Sequence, residues 1–412
     1  RPLGLRRASD SLPDRLATRL VTVLAWTFWL GLAVVVYTYL GYGVVAWVLA
    51  RIREGLAPRP ALDMPDDADL PRVTLLTAAY NEADVVDEKL ANIRALNYPS
   101  DKLDVLFVTD GSTDDTPDRL REAPDVRVLH RDERAGKIAA MHRGMEHVDT
   151  PLVVFSDANA MLNADAIRNL VRHYQDDAVG AVAGEKRVRA VGDDATGAGE
   201  GLYWTYESTL RRLDDALHSV VGGSGELFSV RTALFRPVPP DTLLDDFMLT
   251  LRIAGDGYRV AYAPDAYAVE NPSASLADEM ERKVRIAAGG IQSILRLPDL
   301  LNPFRHGLLT LQYVSHRVLR WTLAPALLPI LFVSNAVLAA GTGGLYTVLL
   351  ALQLAFYAVA AYGYATHTNR RGPSALYAPF YFLVMNWAVY RGVARFMRGT
   401  QSVRWTKAQR AG

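Results

Sequence analysis

The sequence predicts an α/β domain with a mainly parallel sheet, carried between α-helical segments apolar enough to cross a membrane. Three observations point there. Residues 20–50 and 321–369 contain no Asp, Glu, Lys or Arg. Residues 71–270, between them, alternate short apolar runs with stretches of helical spacing. Three of those runs end in an acid or an amide, at what would be one edge of the sheet.

The chain has 412 residues, room for more than one structural unit. Lys+Arg and Asp+Glu are both 45, so no charge excess argues for nucleic acid as a partner. Cysteine is absent, which excludes disulfides and thiolate metal sites. After a tail (1–19), residues 20–50 exceed the roughly 20 apolar residues a bilayer crossing needs and lack a cleavage site, so they read as a membrane helix. Residues 321–397 read as two spans joined at "GTGG" (341–344), followed by a third apolar stretch, 372–390, that carries Pro379 and Asn386 and either spans or re-enters. A basic tail (398–412) closes the chain. The basic clusters "RIR" (51–53), "HRVLR" (316–320) and "NRR" (369–371) place the middle of the chain in the cytoplasm of a multi-pass plasma-membrane protein. A fully spanning last segment would put the basic tail outside, against that rule; a re-entrant one would not.

Within the block 54–297, "RVTLLTAAY" (72–80) reads as a strand and "EADVVDEKLANIRAL" (82–96) as a helix. "LDVLFVTDG" (103–111) and "VRVLHR" (126–131) are further strands, "GKIAAMHRGMEHV" (136–148) a helix, and "PLVVFSDAN" (151–159) a fourth strand. Such alternation implies right-handed βαβ units, whose ligands bind beyond the carboxyl ends of the strands. Residues 298–320 have the pattern of an amphipathic interfacial helix.

Each polar strand end has a structural reading beside the functional one. "DGSTDDT" (110–116) suits an Asx turn with Asp110 or Ser112 as a helix cap, and Asn81–Glu82 suits a capping pair. Lys137 suits an ordinary surface lysine, or, after Gly136 at a helix start, a phosphate contact. Neither turn nor cap explains why three polar ends fall together.

"TAAYNE", "VTDGSTDDT", "RAGK", "VVFSDAN", "GGSGELFSVR" and "LLDDFMLTLRI" occur in this order, over about residues 70–295. The set resembles family 2 glycosyltransferases, above all the membrane-embedded branch with hyaluronan, chitin, poly-N-acetylglucosamine and cellulose synthases. The resemblance implies a GT-A, Rossmann-like domain that uses a UDP-sugar donor. It implies nucleotide-sugar binding by Ala79, Tyr80, Glu82, Asp110, Lys137, Asp157, Arg282 and Arg285. Asp157 and Asn159 stand where the family's "DxD" motif holds Mg2+ or Mn2+; Asn159 departs from the second acid, and an amide is the weaker ligand. Asp246, with Asp245 beside it, matches the "TED" motif and its general base, although two acids also suit a helix N-terminus. Gly223, Ser224, Gly225 and Glu226 match the acceptor loop.

"ERKVRIAAGG" (281–290) occupies the place of "Q/RxxRW", with Ile286 where the family has Trp. Arg282 and Arg285 fit its basic positions, or simply the polar face of an interfacial helix. The aromatics of "YWTYE" (203–207) suit stacking on sugar or plain packing. The resemblance implies an inverting membrane enzyme that forms a β-glycosidic bond with a growing exopolysaccharide or a lipid-linked acceptor. Ile286 removes the aromatic platform of processive synthases and favours a single transfer. An inactive scaffold subunit is the remaining alternative, against which the retained acids and bases stand.

Overall fold

The computed structural model describes residues 12–189, 195–271, 275–366 and 377–401. Eight strands build one sheet: β1 (Val73–Ala79), β2 (Leu103–Asp110), β3 (Arg127–Arg131), β4 (Leu152–Ser156), β5 (Met161–Leu162), β6 (Val179–Val188), β7 (Leu227–Arg231) and β8 (Arg259–Glu270). Their spatial order is β3-β2-β1-β4-β7-β6-β8-β5. Only β7 and β5 run antiparallel to their neighbours, so the mainly parallel α/β sheet expected from the sequence is present.

β1 and β4 are apolar because both their faces are covered. Leu75, Phe107 and Val154 face one core, with Leu90 and Ile93 of the Val86–Arg94 helix. Leu76, Val108 and Val153 face the other, with Ile138 of the Lys137–Met145 helix and Met248 of the Asp245–Gly255 helix. The chain winds from β1 outward to β3, then returns to place β4 on β1's other side. That reversal opens a crevice beyond the carboxyl ends of β1, β2 and β4.

Register decides what meets in the crevice. Ala79 pairs with Thr109, which sets Tyr80 beside Asp110. Leu76 pairs with Phe155, which carries Asp157 to the end of β1.

Among the described residues, three helices are long and apolar enough to cross a membrane: Arg15–Leu56, Leu323–Thr342 and Leu345–Thr366. The first is longer than the expected 20–50. At 42 residues it would extend about 63 Å at 1.5 Å per residue, twice a bilayer's hydrocarbon core. It continues through a wider π-type turn at Tyr37–Gly41, and its lower part packs on the Ala195–Leu217 helix, where Tyr42 and Ala46 meet Leu210. The third C-terminal stretch forms the Tyr377–Met397 helix, which lies against the Leu276–Arg296 helix. "NRR" (369–371) and most of the basic tail lie outside the described residues.

Residues 298–320 differ from the single amphipathic helix expected. They break into short turns and helices at Asn302–Pro303 and at Gly307, whose φ is +53°. Phe304 is fully exposed, but Gln312, Tyr313 and His316 are buried. The reason is a polar junction. Asp214 accepts from Tyr42, from Gln312 and from His316 Nδ1 at 2.5 Å, and Glu207 pairs with Arg317, Arg320 and Arg211. Burial would raise the Glu207 carboxyl, but Arg317 and His316 hold it well below the ordinary value.

Candidate active site

The donor side is built from three loops that lock one another. Asn81, in the left-handed region at φ +53°, accepts from Thr113 N at 2.8 Å, and its own N–H donates to Ser112 Oγ at 3.1 Å. Glu82 N donates to Thr116 Oγ1 at 2.8 Å. "NE" and "DGSTDDT" therefore brace each other across the crevice; Asp115 is the N-cap of the short helix after β2, and Asp114 Oδ1 accepts from Thr116 N at 3.1 Å and Oγ1 at 2.6 Å. Asp110 is not a cap of that helix. Its Oδ2 accepts from Ala135 N at 2.9 Å and from Gly136 N, so it ties β2 to "RAGK". Its Oδ1 is buried without a hydrogen bond and lies 3.8 Å from the Arg143 guanidinium, its ion-pair partner.

Gly111, at φ +69°, is required here. A Cβ on it would fall 2.5 Å from the Cβ of Arg134. This close approach seats the Arg134 guanidinium 3.6 Å from the centre of the Tyr80 ring. Tyr80, Arg134 and Asp110 thus form one wall with an aromatic ring, a planar guanidinium and a buried carboxylate.

Lys137 joins the donor side to the other half of the crevice. Its Nζ lies 2.8 Å from Asp157 Oδ1 and 3.5 Å from Asp245 Oδ2. Burial works to lower the Lys137 ammonium, but Asp157 and Asp245 outweigh it and raise it, so it is charged at neutral pH. Burial raises the Asp157 carboxyl, with Lys137 opposing. Asp157 and Asn159 both end β4 half-exposed, while Ala158 and Ala160 between and after them are buried. Two side-chain oxygens at an open tip fit a hard divalent cation that takes its other ligands from a diphosphate and water. No group of three acids or histidines among the described residues makes a complete ion cage.

Asp245 and Asp246 open the Asp245–Gly255 helix, where the positive end of the helix dipole favours acids. Both face the same site. Burial first, and the neighbouring Asp245 second, push the Asp246 carboxyl up to about 6. Against Asp246 lies the loop 222–226. Positions where Gly223 and Gly225 would carry a Cβ lie 3.2 Å from Asp246 Cβ and 3.8 Å from its Cγ. Glu226 is held by Lys186; burial would raise its carboxyl, but Lys186 and then Arg282 bring it down to about 2.

The structure therefore brings Ala79, Tyr80, Glu82, Asp110, Lys137, Asp157, Asn159, Asp245, Asp246 and residues 223–226 to one crevice. Arg282 and Arg285 have structural partners. Arg282 Nε and Nη2 bind the buried Glu279, and Arg285 Nη2 donates to the Leu243 carbonyl at 3.1 Å, so it steadies the segment that leads into Asp245. Trp204 of "YWTYE" lies between two cations, Lys186 and Lys283, at 5.4 and 5.6 Å from its ring centre; the side chain of Tyr203 lies outside the described residues. Arg211 was not foreseen. From the Ala195–Leu217 helix it donates to Ser224 Oγ at 2.6 Å and to the Gly223 carbonyl at 3.0 Å. No local motif marks it, because only tertiary packing brings it to the loop.

Residues 74–236 match the family model described as glycosyl transferase family 2. The chain is 25% identical over 253 residues to the poly-beta-1,6-N-acetyl-D-glucosamine synthase of Staphylococcus aureus, covering 60% of this chain and 60% of that protein's length. It is 28% identical over 326 residues to the beta-monoglucosyldiacylglycerol synthase of a Nostoc species, covering 72% and 67%. In structure it resembles the mannosyltransferase of Pyrobaculum calidifontis, solved with GDP-Man and Mn2+: TM-score 0.67, 25% identity, 91% of this chain and 100% of that one.

Proposed function

We propose that this chain, whose residues 74–236 match the family 2 glycosyltransferase model, carries out an inverting sugar transfer at a membrane, from a nucleoside diphosphate sugar to an acceptor hydroxyl. One observation carries the reading: a single lysine, Lys137, contacts both Asp157 on the nucleotide side and Asp245 beside the candidate base. Donor and acceptor chemistry therefore meet within the reach of one side chain.

Tyr80, Arg134 and Asp110 hold the nucleobase, and Lys137 turns to the diphosphate. Asp157 and Asn159 would hold Mg2+ or Mn2+, which when bound neutralises charge on the leaving diphosphate. Asp246 takes the proton of the acceptor hydroxyl as its oxygen attacks the anomeric carbon and the bond to the diphosphate breaks. A carboxyl near pKa 6 suits that role better than an ordinary aspartate. Single displacement inverts an α-linked donor to a β-linked product.

The donor is a UDP-sugar and the acceptor a growing exopolysaccharide chain, with the catalytic domain on the cytoplasmic face of the plasma membrane. The GDP-Man of the structural neighbour makes GDP-sugars the natural comparison. A second reading, one transfer to a lipid-linked acceptor, is favoured by Ile286 in place of an aromatic platform.

The test is nucleoside diphosphate release by the detergent-solubilised chain with Mn2+ or Mg2+, over a panel of UDP- and GDP-sugars, with Asp246→Asn alongside. Turnover on one sugar that the variant loses supports the reading, and product length then separates polymer from single transfer. Failure of both UDP and GDP to bind would overturn it.

A further inference from the structure

The Val86–Arg94 helix buries Val86, Leu90 and Ile93 against the sheet, and on the same face it buries Lys89, which has no exposed surface. A lysine inside an apolar face is costly unless its ammonium is bound. Here it is bound to the strand tip described above. Lys89 Nζ donates to Ser156 Oγ at 2.9 Å and to the Ala160 carbonyl at 2.6 Å. Those two atoms flank Asp157 and Asn159 on either side.

The same helix makes a second attachment. Asn92 Nδ2 donates to the Leu162 carbonyl at 2.7 Å, and Leu162 N donates to Asn92 Oδ1 at 2.8 Å. Between them the tip closes on itself through Ala160 N to the Asp157 carbonyl at 3.2 Å. Residues 156–162 are thus fastened from below at three points. Ala158 and Ala160 are buried, Asp157 and Asn159 are partly exposed, and Asp157 meets Lys137. Burial lowers the Lys89 ammonium to about 7, with Asp157 and then Glu270 opposing, and the two hydrogen bonds hold the group in place.

We propose that Lys89 is a positioning residue for the cation-binding tip: it sets the spacing of Asp157 and Asn159 by gripping the backbone and hydroxyl on both sides of them. This rests on the reading of that tip as a metal and diphosphate site. Outer partners of metal ligands set affinity because a ligand free to swing must be ordered when the ion binds. The consequence is specific. Loss of the grip weakens the contribution of the cation to nucleotide binding and leaves the nucleobase wall, built from β1, β2 and "RAGK", intact.

The test compares the wild-type full chain with Lys89→Met, which keeps the length and removes the donors, and with Val86→Ala, which loosens the same buried face without touching the tip. UDP and GDP affinities are measured in detergent with Mn2+ and with EDTA, and bound Mn2+ is followed by its paramagnetic resonance. Lys89→Met should reduce the Mn2+-dependent gain in nucleotide affinity by about 10–100-fold and leave the affinity in EDTA unchanged. Val86→Ala should lower the melting temperature and keep the gain. Ser156→Ala, which removes one acceptor and leaves the lysine, should lose part of the gain, and it carries the test if Lys89→Met does not fold. An unchanged gain in Lys89→Met, or an equal loss in Val86→Ala, overturns the assignment alone. No Mn2+-dependent gain in the wild type with either nucleotide overturns the metal reading itself, and the assignment with it.

Discussion

Asparagine at position 246 should remove activity and stabilise the fold, and the two effects come from one cause. Asp246 is held at about 6 by burial and by Asp245, against an ordinary value of 3.8. The sign follows from proton binding. Below about pH 4 the carboxyl is protonated in both folded and unfolded chains and contributes nothing. Between about pH 4 and 6 the unfolded chain ionises while the folded one keeps its proton, so stability falls as pH rises. Above about 6 the full penalty is present. Two units correspond to about 3 kcal/mol, and mutual dependence with Asp245 makes about 1–3 kcal/mol the useful range. Asn is neutral at every pH, so Asp246→Asn should melt several degrees higher at pH 7.5 and at the same temperature as wild type near pH 4. Turnover should fall by a factor of about 100 or more, and wild-type kcat/KM should decline as pH drops through about 6. Differential scanning fluorimetry across that pH range, with nucleotide release beside it, reads both. A stability difference that is absent, or the same at pH 4 and 7.5, would refute the account of a desolvated, ionised base.

Three further outcomes are expected. Gly111→Ala forces a Cβ to within 2.5 Å of Arg134 at a φ of +69°, so it should cost about 1–3 kcal/mol and weaken UDP or GDP binding by titration calorimetry. Arg211→Ala frees Ser224 and the Gly223 carbonyl; kcat should drop about tenfold or more while nucleotide affinity holds, because the donor wall is untouched. Glu207→Gln removes the carboxylate that Arg317 and Arg320 pair with at the buried junction, at a cost of about 3–5 kcal/mol seen as earlier thermal aggregation in detergent.

Which strand ends meet in the crevice was largely legible in the sequence. Strands that end in Asp110 and Asp157 announce themselves because an apolar run has no use for a terminal acid, and parallel topology forces such ends together. The helices long and apolar enough to cross a membrane were legible for the same kind of reason, since apolar length is a local property of the chain. The segment 298–320 was not. Its spacing suits an amphipathic helix, but Asn302–Pro303 and Gly307 break it, and Gln312 and His316 are buried against Asp214, more than ninety residues earlier in the chain.

Sequence alone thus determined which elements form and which strand tips carry oxygen, because periodicity and apolar length act over a few residues. Tertiary structure alone decided what those oxygens do. Lys89 and Arg211 carry no mark in the sequence until packing sets them against Ala160 and Ser224, and the pKa of Asp246 has no value until Asp245 and the fold remove its water. Desolvation and long-range contact are properties of three-dimensional neighbours, and no stretch of this chain contains its own neighbours.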